Sequence, residues 1–211
     1  MKHSHKIFIL FLSIGVFSCN YTVDKGKNSL DEIITVDSIP VDLNEIVIET
    51  EIDNQCPRGR AEPIIKKERY PNTTFTLQSD SLTAIETIVF DNGDELIIRN
   101  WGCDYYVLTF RFITSKYKND TANLPYWYKS AGRLITEVLT GIDTPMDIKR
   151  GLFFLESYYL RDQKNDFKNV KIGEEIDFDE SEIRSYVTLE RIEKLSENQF
   201  AVTVSYATGP L

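Results

Sequence analysis

Apolar and polar positions alternate along the first half of the chain, and then the period changes. Glu45 to Asp53 interleaves β-branched residues with acids and predicts a strand. Gln55 to Tyr70 carries Pro57, Gly59 and Pro63 and predicts a loop. Thr73 to Gln78 predicts a short strand. Thr83 to Phe90 and Glu95 to Asn100 flank Asp91-Asn92-Gly93-Asp94. Asn-Gly between two apolar runs signals a hairpin, because both positions tolerate positive φ. Tyr105 to Thr114 alternates cleanly. Tyr106, Leu108, Phe110 and Phe112 share one face, while Tyr105, Val107, Thr109 and Arg111 share the other. Such a segment suits the centre of a sheet.

From Pro125 the spacing becomes helical. Trp127, Ala131, Leu134, Ile135, Val138, Leu139 and Ile142 fall on one stripe that Gly141 closes. Thr144-Pro145 then reads as an N-cap followed by proline at the first helical position. Ile148, Leu152, Leu155 and Tyr159 form the stripe of this second helix, although Gly151 and its paired aromatics also fit a strand. Glu174 to Glu182 is acidic and reads as a loop around Ile176-Asp177-Phe178. Tyr186 to Leu195 and Gln199 to Ala207 read as strands joined at Ser196-Glu197-Asn198. Strands, two helices and further strands predict an α+β fold: a mostly antiparallel sheet of about six to seven strands, with two helices packed on one face and inserted between strands.

The N-terminus sets the compartment. Met1 to Lys6 is basic, and Ile7 to Phe17 is apolar but shorter than the ~20 residues of a membrane span. The run ends in Val16-Phe17-Ser18-Cys19. This resembles the lipobox of bacterial lipoproteins, with an aliphatic residue at −3 and a small residue at −1. The resemblance covers only the export signal. It implies cleavage before Cys19, a thioether-linked diacylglycerol on that cysteine and N-acylation. The membrane is then a partner through the lipid anchor. Asn20, in place of aspartate, resembles the enterobacterial sorting signal for the outer membrane of the cell envelope. The chain then divides into a signal peptide over 1–18, a polar tether over 19–44 and one α+β domain over 45–211. Asp37-Ser-Ile, Asp80-Ser-Leu and Asp120-Thr-Ala resemble the O-glycosylation sequon of Bacteroidota.

Charge and composition narrow the function. The formal charge is −9, so the chain is a poor binder of nucleic acid, whose phosphates demand a basic surface. Cleavage would also remove His3 and His5, the only histidines. Without histidine there is no Ser-His-Asp triad, Cys-His dyad or HExxH zinc site. No cofactor, metal site or catalytic residue is predicted. Cys56 and Cys103, in an exported chain, most simply form one disulfide.

Two clusters stand out as partner-binding candidates. Arg58 and Arg60, followed by Lys66, Lys67 and Arg69, form a basic loop in an acidic protein. Trp101 and Tyr105 bracket the second cysteine and offer an aromatic platform. The acidic stretch Glu174–Glu182 lacks the spacing of a calcium loop, and Ser115-Lys116-Tyr117-Lys118 lacks the companions of a serine-lysine acyltransferase. The expectation is a lipid-anchored envelope protein that binds rather than catalyses, of the inhibitor or immunity type, with an envelope protein as partner. The alternatives are a carboxylate-dependent enzyme acting on envelope glycans and a small-ligand-binding lipoprotein. A pair of carboxylates in a cleft would favour the first alternative, a closed apolar pocket the second.

Overall fold

The computed structural model describes residues 56–179 and 181–210. The strand expected over Glu45–Asp53, the signal expected over 1–18 and the tether expected over 19–44, with Cys19, lie outside the described residues.

Among these residues, alternation becomes sheet where it was expected. The strands are β1 (Thr74–Leu77), β2 (Ala84–Val89), β3 (Glu95–Trp101) and β4 (Tyr106–Thr114), then β5 (Ile176–Asp177), β6 (Ser185–Lys194) and β7 (Phe200–Thr208). Helices α1 (Leu124–Val138) and α2 (Ile148–Arg161) lie between β4 and β5 in chain order. One antiparallel seven-stranded sheet results, in the order β1-β2-β3-β4-β7-β6-β5. The class is α+β, and β4 occupies the central position that its alternation predicts.

Two hairpins set the register. Gly93 takes φ +82° in the β2–β3 turn, where its N–H donates to the Phe90 carbonyl. Leu96 then pairs with Ile88, and Ile98 with Glu86. The β6–β7 turn closes where Leu195 N–H donates to the Gln199 carbonyl. A bulge between Leu189 and Arg191 shifts the rest of that ladder.

Period-two alternation puts Leu108, Phe110 and Phe112 on the same face as Val202, Val204 and Tyr206. The helices touch this face: Trp127 of α1 lies 4.9 Å from Phe200, centroid to centroid, and Gly151 of α2 sits against the Tyr206 ring. Tyr206, Phe110, Trp127 and Tyr128 are all fully buried. Asn123 caps α1 by accepting from the Tyr126 N–H, with Pro125 in the first turn.

Three expectations need correction. Helix α2 begins at Ile148, not at Pro145, and its cap is Asp147, which accepts from the Arg150 N–H at 3.0 Å. Thr144 stands three residues before that cap, and its hydroxyl accepts the Met146 N–H at 3.4 Å ahead of the helix. Its hydroxyl meets the Tyr106 hydroxyl at 3.2 Å, and the extended segment before it bridges the 64–65 loop through Ile142 and Ile65. For the same reason Ile142 leaves the helical stripe. The 55–70 segment, as far as it is described, is the expected loop, and part of it enters the core, with Ala61, Ile64 and Ile65 buried. The acidic stretch is not wholly loop, because Ile176 and Asp177 pair with Val187 and Tyr186. Arg184 binds Glu175 at 2.6 Å and Asp177 at 2.7 Å there, which offsets the carboxylate repulsion.

Candidate functional site

Cys56 and Cys103 are joined, with their Cα atoms 5.0 Å apart. The bond pins the start of the basic loop to the β3–β4 connection. Gly102 permits this connection: it has φ +115°, and a Cβ there would stand 1.9 Å from the Tyr105 carbonyl oxygen. No other residue type fits without moving backbone.

Arg58 is turned inward rather than presented to solvent. Its guanidinium donates to the Leu82 and Gly102 carbonyls at 3.1 Å each and to the Asn100 side-chain oxygen. It also lies 4.7 Å over the Tyr106 ring. Asn100 passes the connection on, donating to the Glu62 carbonyl at 3.1 Å. Burial pushes the Arg58 guanidinium below its ordinary value, opposed by Tyr106 and Asp80. Arg58 therefore fastens the loop to the ends of β3 and β4, and its charge is largely committed to the fold.

Glu86 fixes the other end of the loop. It lies on β2 and is 1% exposed, which is unusual for a carboxylate. Its two oxygens accept from the Ile64 N–H at 2.8 Å and the Ile65 N–H at 3.1 Å. Burial pushes this carboxyl above the usual range, and those two donors only partly offset it.

Between the fastened loop and the Asp143–Met146 segment lies an open cleft of about 950 Å³. Arg58, Asn100 and Tyr106 line it together with Ile64 and Met146, and Thr208 stands at the end of β7. Arg60, Glu62 and Asp143 also line it and are exposed. The Tyr106 hydroxyl is held by Thr144, and burial, partly offset by that bond and by Arg58, pushes it up and keeps it a neutral phenol. The cleft thus combines rigid, partly apolar walls with a charged rim of both signs. That composition suits recognition of an amphipathic group; neither a closed apolar pocket nor a flat platform is formed.

The structure brings together only part of the predicted partner-binding set. Arg58 and Arg60 line the cleft. Lys66, Lys67 and Arg69 are exposed but lie beyond its lining, in a turn that packs on the Leu139–Gly141 segment through Gly141 and Tyr70. Trp101 is on the sheet face opposite Phe110, beneath the Arg99 guanidinium at 4.8 Å. Tyr105 is half-exposed and rests on Gly209. The aromatic platform is therefore not part of the cleft; Tyr106 is its aromatic member. Asn100, Tyr106, Asp143 and Met146 were missed. Tyr106 carried a signal, since its place on the core face of β4 beside the disulfide was legible.

Among the described residues no three or more His, Cys, Asp or Glu gather to hold a metal, and no helix is long and apolar enough to cross a membrane. Comparison of the chain with family models, curated proteins and solved structures finds no match.

Proposed function

We propose that this chain is a lipid-anchored binding protein of the bacterial cell envelope, and that the cleft beside the Cys56–Cys103 bond is its recognition site. The observation that carries the reading is the investment in holding that cleft's walls. A disulfide, the Arg58 clamp and the buried Glu86 all fix one irregular loop, while Arg60, Glu62 and Asp143 are left exposed along the opening. Binding residues are commonly carried on loops that a rigid scaffold positions. The ending Val16-Phe17-Ser18-Cys19 supports the anchor, and its cleavage site would leave a chain without histidine. An envelope protein is the partner this location favours.

The test places a photo-crosslinking residue at Arg60, or at Glu197 in the β6–β7 turn at the far end of β7, in the full chain expressed in its own envelope. A discrete adduct from position 60 and none from 197 is the expected result. Adducts from both positions alike, or from neither, would reject the cleft as the recognition site. Separately, Cys19→Ala should abolish incorporation of a fatty-acid probe; retained labelling would reject the anchor.

A further inference from the structure

Helix α2 has a second face that the core does not use. Ile148, Gly151 and Leu155 are its buried residues. On the opposite side Phe153 is 64% and Leu160 52% exposed. They are seven residues apart, two turns along the same stripe, with Lys149 one turn before Phe153. Phe153 is the most exposed large hydrophobic among the described residues. It lines none of the described cavities.

The charge around this face runs against the rest of the protein. The chain as a whole carries −9. On α2 itself, however, Lys149, Arg150 and Arg161 outnumber the one acid, Glu156, which lies one turn from both Phe153 and Leu160. Arg150 and Arg161 border the apolar stripe directly, and of these two only Arg150 has a described acidic partner, Asp179 at 3.7 Å. Exposed apolar side chains bordered by lysine and arginine on one convex helix face are the pattern of a helix that lies in a membrane interface.

We infer that the outward face of α2 rests on an anionic phospholipid surface, Phe153 and Leu160 entering the headgroup region while the flanking cations meet lipid phosphates. This inference rests on the lipid-anchored reading. On that reading the lipid on Cys19 is the tie between this chain and the bilayer. It would hold the domain beside the bilayer at high effective concentration, so a contact too weak to recruit a free protein would still be occupied. The same contact gives the domain a fixed orientation that the tether alone does not.

The experiment uses the full lipidated chain reconstituted in vesicles, with an environment-sensitive fluorophore on Ser157→Cys, between Phe153 and Leu160, or on Glu197→Cys as the control. Flotation reads the anchor; emission reads the face. With phosphatidylglycerol in the vesicles, the probe at 157 should shift to shorter wavelength and the probe at 197 should not. The shift should be lost in purely zwitterionic vesicles, in 1 M salt, where the screening length falls to ~3 Å, and in the Phe153→Ser/Leu160→Ser variant, which should still float. Flotation without a shift at 157 overturns this inference and leaves the anchor standing. A shift that ignores lipid charge and grows with protein density overturns it in favour of a second copy of the chain covering α2. Failure to float rejects the anchor, and this inference falls with it.

Discussion

Replacing Glu86 with alanine removes the acceptor of two buried backbone N–H groups, those of Ile64 and Ile65. Each buried donor left without a partner costs about 1–3 kcal/mol. Loss of a desolvated carboxylate returns part of that, because burial already holds this carboxyl above its usual range. The expected net loss is about 2–4 kcal/mol. For a domain of this size 1 kcal/mol lowers the midpoint by roughly 2–4 °C, so Tm should fall by about 5–15 °C. The sign with pH follows from the raised carboxyl. Its contribution is fully present below the unfolded value of about 4.3 and declines as pH rises through the higher folded value. The gap between wild type and Glu86→Ala should therefore be wider at pH 4 than at pH 7. Denaturant titration at the two pH values measures both quantities. Hydrogen exchange adds a local readout, since the Ile64 and Ile65 amides should lose protection beyond the global change. A loss under about 1 kcal/mol, or a gap that widens toward pH 7, would refute the assignment of Glu86 as the buried acceptor that fixes the loop.

Asp94 should behave with the opposite sign. Burial alone pushes its carboxyl up, but bonds from the Ser115 N–H at 2.9 Å and the Thr114 hydroxyl at 2.7 Å outweigh this and hold it below the usual range. Its contribution is present above the unfolded value of about 3.9 and is lost as pH falls through the lower folded value. Asp94→Asn should cost about 1.5–3 kcal/mol at pH 7, with the difference shrinking below pH 4 in acid-denaturation curves; a constant difference would refute this. Two helical glycines should also part company. Gly→Ala inside a helix ordinarily gains up to ~1 kcal/mol, and Gly132→Ala should do so because the neighbour at 2.8 Å is the flexible end of Glu156. At Gly151 the added Cβ would meet the buried Tyr206 ring at 2.5 Å and Phe178 at 3.0 Å. Gly151→Ala should instead lose on the order of 1–2 kcal/mol through overpacking. Thermal melts rank the pair, and equal shifts would show that the Tyr206 ring yields.

Residue periodicity determined most of the architecture. Strict alternation over Tyr106–Thr114, the Asn92-Gly93 turn and the stripe from Trp127 to Val138 each specify which side of a local segment must leave water, and the sheet and helices formed on those segments. Pairing of Cys56 with Cys103 was legible from the small number of cysteines in the chain. Tertiary structure decided the rest, for one physical reason. A polar group's partner is set by the fold and not by its neighbours in sequence. Arg58 meets Gly102 across 44 positions and Glu86 meets Ile64 across 22. Read along the chain, Arg58 is a cation available to a partner and Glu86 is one more surface acid on a strand. Once the sheet brings β2 and the β3–β4 connection under the loop, Arg58 becomes a clamp and Glu86 a buried acceptor. Thr144 meets Tyr106 across 38 positions, and α2 starts later, capped by Asp147. The cleft exists because of these distant pairings, while hydropathy records only that each strand has an inside and an outside.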